Sequence, residues 1–311
     1  MGVSLWLRRL GWATLVANIL LIVTGGAVRL TASGLGCPTW PRCTDSSLTP
    51  HGTIGPHQLI EFGNRTLTFV LVAIAVATFV AARQAARQLG RPDLLRLSVV
   101  LALAIPAQAV LGGITVLTDL NPWVVSLHLV LSLAIVSLAV LFLHRLDHPP
   151  VAPARGVVPT LAWTTYAVTW AVLYAGTVVT GSGPHAGDAS SPRNGLDPLQ
   201  MSQFHADLVF LLIGLTVGMW FAVRATGGDV RPVTALAAVE VLQAVVGFVQ
   251  YFADLPIAVV MLHMLGAGLV VAAATWLLVT ALEPTSPGEN RTTVGLHPRG
   301  QANRRTYKDA R

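Results

Sequence analysis

Eight apolar runs dominate this sequence, at residues 11–30, 60–81, 96–117, 123–143, 159–180, 204–223, 233–252 and 256–281. Each is close to the roughly 20 residues a helix needs to cross a bilayer core about 30 Å thick. A soluble chain of 311 residues cannot hide that much apolar surface in its own core. The composition agrees, with 53% hydrophobic residues, 11% charged residues and a mean hydropathy of +0.65. The expected fold is an all-α membrane protein with eight transmembrane helices, solvated by lipid. The first run continues into Gly25, Gly26 and Arg29. It lacks the short core and small-residue cleavage site of a signal peptide and reads as a retained first helix.

The net charge of +6 and the pI near 10.1 could suggest a nucleic-acid partner. The basic residues, however, lie between apolar runs and in the tail without interleaved aromatics, so no nucleic acid is expected. They follow topology. Sixteen of the twenty fall on one side of the eight spans, and only Arg29, Arg42, Arg65 and Arg193 fall on the other. The positive-inside rule then makes the chain a multi-pass protein of the cell membrane with both termini cytoplasmic. The polar tail from Glu283 has no periodic apolar pattern and reads as disordered.

The chain also repeats itself. Gln108–His128 and Gln243–His263 align without a gap at an offset of 135, with ten identities in 21 positions, more than shared hydrophobicity alone would give. Gly26-Ala-Val with Thr31-Ala-Ser-Gly34 likewise matches Gly176-Thr-Val with Thr180-Gly-Ser-Gly183. Two pseudo-repeated four-helix bundles in parallel orientation follow. The expected division is an N-terminal half over 1–145, a cytoplasmic linker over 146–158, a C-terminal half over 159–282 and a tail over 283–311.

Ionisable side chains inside a span cost several kcal/mol unless paired or ligated. His128 lies about five residues into the fourth run, His263 about seven into the eighth, and His205 opens the sixth. All three fall in or at the edge of the outer leaflet. A lone histidine on an apolar face is usually a packing residue. Two at equivalent places in two repeats, with a third on a preceding even helix, suit a bundle that holds a flat macrocycle such as heme between imidazoles. Zinc is the competing metal, but a catalytic zinc site usually draws a third N, O or S ligand close by, and the sequence has no such cluster at matching depth.

The first half is less regular, because aligning the second run with the sixth sets Asn64 opposite His205. His57, two turns upstream on the same face, is either a ligand at the loop edge or a wet interfacial histidine. Glu61 lies one turn from both His57 and Asn64. It is a candidate to relay protons or stabilise positive charge beside a reactive centre, the plainer reading being an ion pair with Arg65. Arg65 is in turn a candidate partner for a cofactor carboxylate. Cys37 and Cys43, in an exported loop, suit either a disulfide staple or a redox pair. Asp119 and Asp254 read as turn residues, and Glu240 has no partner in this scheme. His51, His144, His148 and His297 carry no assigned role, and His185 reads as shaping its loop.

Together, Ile60-Glu-Phe-Gly-Asn-Arg65, the twin segments ending at His128 and His263, Gly183-Pro-His-Ala-Gly-Asp188 and the paired cysteines resemble the heme A synthases of bacteria and mitochondria. The resemblance spans residues 11–282. It implies heme b between His205 and His263, and heme O as a substrate in the first half, using His128 and Glu61. Asn64 departs from the pattern, since the family has a histidine there. Either His57 substitutes or the substrate has one protein ligand. The implied reaction oxidises the C8 methyl of heme O to the formyl of heme A. Heme O synthase and cytochrome oxidase assembly factors are the implied partners, besides membrane lipid, and a homo-oligomer is left open. A di-heme cytochrome b electron carrier is the competing class, and the gap at Asn64 counts against it. A repeat-built heme carrier would require helices broken at the midplane, for which Gly112-Gly113 is the weak signal.

Overall fold

A computed structural model describes residues 3–51 and 54–284. From residue 285 onward the expected disordered tail, His297 included, lies outside the described residues. The described chain is helical, with α1 (Leu5–Leu30), α2 (Pro56–Leu89), α3 (Pro92–Leu117), α4 (Pro122–Asp147), α5 (Val157–Ser182), α6 (Pro198–Ala225), α7 (Arg231–Phe252) and α8 (Ile257–Ala281). Every apolar run became one helix. Most extend past the run because polar residues flanking the bilayer core keep helical propensity. The starts are set locally. Proline occupies the first turn of α2, α3, α4, α6 and α7, where its missing N–H costs nothing. Ser4, Asn121 and Asp197 accept first-turn N–H groups as caps.

Seven of the helices are long and apolar enough to cross a membrane, which makes the chain a multi-pass membrane protein. The remaining one, α5, carries no charge but is rich in Thr, Trp, Tyr and Gly, which lowers its hydropathy. Its threonines are satisfied internally: Thr165 and Thr169 hydroxyls donate to carbonyls four residues back and Thr177 to one three back. α3 runs unbroken through Gly112-Gly113, so the interruption expected of a carrier is absent among the described residues.

Helix α1 packs on α2 and α4, and α3 lies between α2 and α4. In the same way α5 packs on α6 and α8, and α7 lies between α6 and α8. Within each set of four, the Cα traces of the diagonal pairs α2/α4 and α6/α8 stay more than 8 Å apart across the described residues. Contacts of α8 with α1 and α4, and of α4 with α5, join the two sets. One apolar cluster around Leu7, Leu94, Leu133 and Phe142 also takes in Leu173 of α5 and Val271 of α8. A second, around Met219, Val233 and Leu236, belongs to α5–α8. In lipid, apolar packing has little drive of its own, and close approach with interhelical hydroxyl bonds holds the joint. Gly268 faces Ile19, and Ser137 of α4 bonds Thr275 of α8 at 2.8 Å and Tyr166 of α5 at 3.1 Å.

The turns after α3 and α7 are built alike. Asp119 and Leu120 adopt φ of 51° and 58°, and Asp254 and Leu255 adopt 58° and 57°. The Leu120 N–H bonds the Thr115 carbonyl and the Leu255 N–H bonds the Gln250 carbonyl, both at 2.8 Å. Both aspartates therefore sit in left-handed turns, as their turn assignment requires. Leu120 is buried against Gly34 and Gly187, where a β-carbon on either glycine would come within 2.8 Å of it. The Gly34 N–H in turn bonds the Gly187 carbonyl at 2.9 Å.

Candidate functional site

His128 and His263 are each the seventh residue of their helices, α4 and α8, and His205 is the eighth of α6. His205 therefore does not open its helix. α6 begins at Pro198, which carries His205 two turns in and level with the other two. Each imidazole meets a glycine on a neighbouring helix. A β-carbon at Gly112, Gly176 or Gly247 would lie 3.1, 3.2 or 3.6 Å from Cε1 of His128, His205 or His263 respectively. At Gly112 and Gly176 a side chain would crowd the ring, whereas at Gly247 it would make ordinary contact.

The offset of 135 recurs in the bonding. Gln108 Nε2 donates to the His128 carbonyl at 3.2 Å, and Gln243 Nε2 to the His263 carbonyl at 3.0 Å. These bonds fix the backbone from which each imidazole projects. Nδ1 of both histidines is buried with no partner among the described residues. A buried polar atom left unpaired is costly, so its presence twice, at equivalent positions, points to ligand sites. His205 differs, since its Nδ1 lies 3.0 Å from the Val172 carbonyl. With that proton donated to the carbonyl, Nε2 presents a lone pair, the usual orientation of a metal-binding imidazole.

On α2, Glu61 is buried, and one of its oxygens, Oε2, accepts the backbone N–H of Cys37 at 2.6 Å. The other, Oε1, accepts from Arg65 Nε at 3.1 Å and from Nη2. Arg65 also donates to the carbonyls of Cys37, Thr39 and Arg42. Its guanidinium is thus engaged within the loop. Cys37 and Cys43 form a disulfide, with Cα atoms 4.3 Å apart. Between them, Trp40 lies flat on Gly113 of α3, beside the glycine that faces His128. One loop therefore reaches both the Glu61 carboxylate and the His128 pocket.

His57 is the second residue of α2 and exposed, with Nδ1 3.0 Å from the Ser33 hydroxyl. Asn64 Oδ1 accepts from Thr24 at 2.8 Å. His185 is half-buried, and its carbonyl accepts from Arg29 Nε at 2.7 Å, while Arg29 Nη2 donates to the Thr180 carbonyl at 3.0 Å. Burial and the neighbouring Arg29 and Arg193 hold the His185 imidazole below its ordinary pKa. Glu240, without a partner in the sequence reading, is buried and accepts a hydrogen bond from Thr216 of α6 at 2.8 Å.

The profile of the cytochrome oxidase assembly protein family, COX15-CtaA, matches residues 8–275. Similar proteins called heme A synthase include one from Lysinibacillus sphaericus (strain C3-41), 33% identical over 239 residues, or 70% of this chain and 76% of the relative. One from Geobacillus thermodenitrificans is 33% identical over 118 residues, 38% of this chain and 35% of the relative. Another, from Geobacillus kaustophilus (strain HTA426), is 30% identical over 114 residues, 36% and 34%. The two Geobacillus matches thus span about a third of those relatives' length. Since the profile runs from α1 into α8 and the Lysinibacillus relative is matched over most of both lengths, the chain belongs to the cytochrome oxidase assembly family in which heme A synthases are found.

Proposed function

We propose that this chain is a heme A synthase of the cell membrane, with both termini cytoplasmic, that oxidises the C8 methyl of heme O to the formyl of heme A. The observation that carries the reading is the paired geometry at the offset of 135. It comprises a glutamine on the backbone carbonyl of a histidine, a glycine under its imidazole and a buried Nδ1 without a partner, once in α3–α4 and once in α7–α8. We read the two sets of four helices as pseudo-repeats, each with one macrocycle site on its diagonal.

His205 and His263 would hold heme b, which would supply one-electron transfer there. The residues fit it, with an oriented Nε2 on one side and an unused nitrogen on the other. His128 is the ligand we assign to heme O, across from Asn64 and Glu61. Asn64 is held by Thr24 and offers no imidazole. His57 is held at the loop by Ser33, about 10 Å along the helix from Asn64, so we assign it to loop anchoring and leave the second face of the substrate iron without a histidine. Glu61 would stabilise charge at the reacting methyl or hold the proton released there. Arg65, bound to Glu61 and to the loop carbonyls, positions that carboxylate. The supply of heme O and the use of heme A would link the chain to heme O synthase and to cytochrome oxidase assembly.

Pigment extraction and mass analysis after co-expression with a heme O producer tests the assignment. Heme A from the parent protein, heme O with retained heme b from Glu61→Gln, and loss of heme b from His263→Ala are the expected results. Heme O left unconverted by the parent despite adequate reductant and oxygen would make the chain an electron carrier instead.

A further inference from the structure

Helix α4 ends at Asp147 with His148 as its C-cap, and the i, i+4 spacing brings the imidazoles of His144 and His148 together. The rings stack, with centroids 4.3 Å apart and planes 14° from parallel. Glu283, two residues past the end of α8, meets them. Its Oε1 lies 2.9 Å from His144 Nε2 and its Oε2 lies 3.9 Å from His148 Nε2. The approach is held by the backbone: the Ala154 N–H bonds the Leu282 carbonyl at 2.8 Å and the Glu283 N–H bonds the Thr280 carbonyl at 3.2 Å.

One ligand atom from each of the three residues lies within 4.8 Å of the others. Bonds of about 2.0–2.2 Å to a shared ion need only modest side-chain closure from that separation. The nitrogens are also oriented for it. His148 Nδ1 lies 3.1 Å from the His144 carbonyl, and donation there leaves its Nε2 lone pair toward Glu283. The pair of His144 with Glu283 is an ordinary hydrogen bond, but it leaves His148 Nε2 3.9 Å from the second carboxylate oxygen, with no bond between them. A divalent cation satisfies all three donors at once. Two nitrogens and one oxygen favour zinc and its d-block neighbours over magnesium or calcium. Asp147 is taken by Arg8 at 2.7 Å, so the open position falls to water from the exposed His148 side.

We propose that His144, His148 and Glu283 form a binding site for a zinc-class divalent cation, tying the end of α4 to the chain leaving α8. The site is at the opposite end of the molecule from the disulfide loop and is independent of the heme assignments.

The test uses full-length, tag-free, heme-loaded protein in detergent, dialysed against buffered ZnCl2 with excess MgCl2. Zinc content and titration calorimetry give stoichiometry and affinity. One zinc per chain is expected. Glu283→Gln and His148→Ala, each retaining parental heme content and helicity, should each weaken binding about tenfold or more. Absence of saturable uptake, displacement by magnesium, or unchanged affinity in both variants would overturn the site. So would loss of binding on His297→Ala alone, which would place the metal in the tail.

Discussion

The Glu61 carboxylate accepts the backbone N–H of Cys37 at 2.6 Å, which makes the disulfide-closed loop part of the environment of the buried acid on α2. Replacing both cysteines with alanine releases a short loop, at a cost of about 2 kcal/mol in the chain-entropy account. Heme A formation should fall about tenfold while heme b content stays at the parental level, because a displaced donor harms orientation more than binding. Heme extraction from the Cys37→Ala, Cys43→Ala double variant reads both quantities.

Arg65 and Glu61 are unequal partners. The Glu61 side chain is 6% exposed and that of Arg65 is 23% exposed. Arg65→Ala leaves a buried carboxylate with one remaining donor and should cost about 3 kcal/mol, whereas Glu61→Gln keeps an acceptor for the Cys37 N–H and should cost less. Thermal unfolding in detergent should rank Arg65→Ala as the more damaging change.

The glycines under the imidazoles make a graded prediction. Alanine normally improves a helix over glycine by about 1 kcal/mol. At Gly176 the new β-carbon would meet His205 Cε1 at 3.2 Å, so Gly176→Ala should lower the heme-to-protein ratio. At Gly247 the distance is 3.6 Å, ordinary contact, and Gly247→Ala should retain its heme. The Soret absorbance per chain separates the two variants.

Thr216 is the one hydrogen-bond donor to Glu240 among the described residues. Thr216→Val removes it with little change of shape and should destabilise by about 1–3 kcal/mol through the unpaired carboxyl. Thr216→Ser should restore most of the loss. Equal melting temperatures for Thr216→Val and the parent would show that the bond contributes nothing.

His185 should make the loop after α5 sensitive to acid. Its imidazole is held below the ordinary 6.5 by burial first and then by Arg29 and Arg193. At pH 7.5 folded and unfolded forms are both neutral and no penalty applies. As pH falls below about 6.5 the unfolded loop binds a proton that the folded loop resists, so stability is lost. Asp188, held below 3.8 chiefly by Ser190, keeps its contribution until far more acid conditions. Exchange protection at the Gly34 N–H should therefore weaken between pH 7 and 5.5, and His185→Gln should flatten that dependence.

Much of this was legible in the sequence because lipid imposes a length and a composition on every span. The matched Asp-Leu pairs at 119–120 and 254–255 belong to the repeated segments, although no glycine there announces left-handed turns. His205 was placed too near its helix end because the polar Gln200-Met-Ser-Gln203 stretch hides the first two turns of α6, where a proline and an aspartate cap start the helix before the apolar run. The donor to Glu240 could not be read, since Thr216 lies on another helix and nothing local pairs them. His144 and His148 carry a visible i, i+4 spacing, but Glu283 is 135 residues beyond His148 and reaches it only through the packing of α8 on α4. The pairing of Arg65 with Glu61 is visible as an i, i+4 spacing, but its bonds to the carbonyls of Cys37, Thr39 and Arg42 are not, because no side-chain pattern reports loop carbonyls.

Leu120, lodged between Gly34 and Gly187, makes three loops behave mechanically as one plate. A load on the turn after α3 passes at once to the segments after α1 and α5. Inserted tags or epitopes at 34–36, 119–121 or 186–188 should therefore disturb all three segments together. The Gly227-Gly228 turn at the far end bonds back to the Arg224 and Val223 carbonyls of its own helix, and is the place to add residues without deforming the rest.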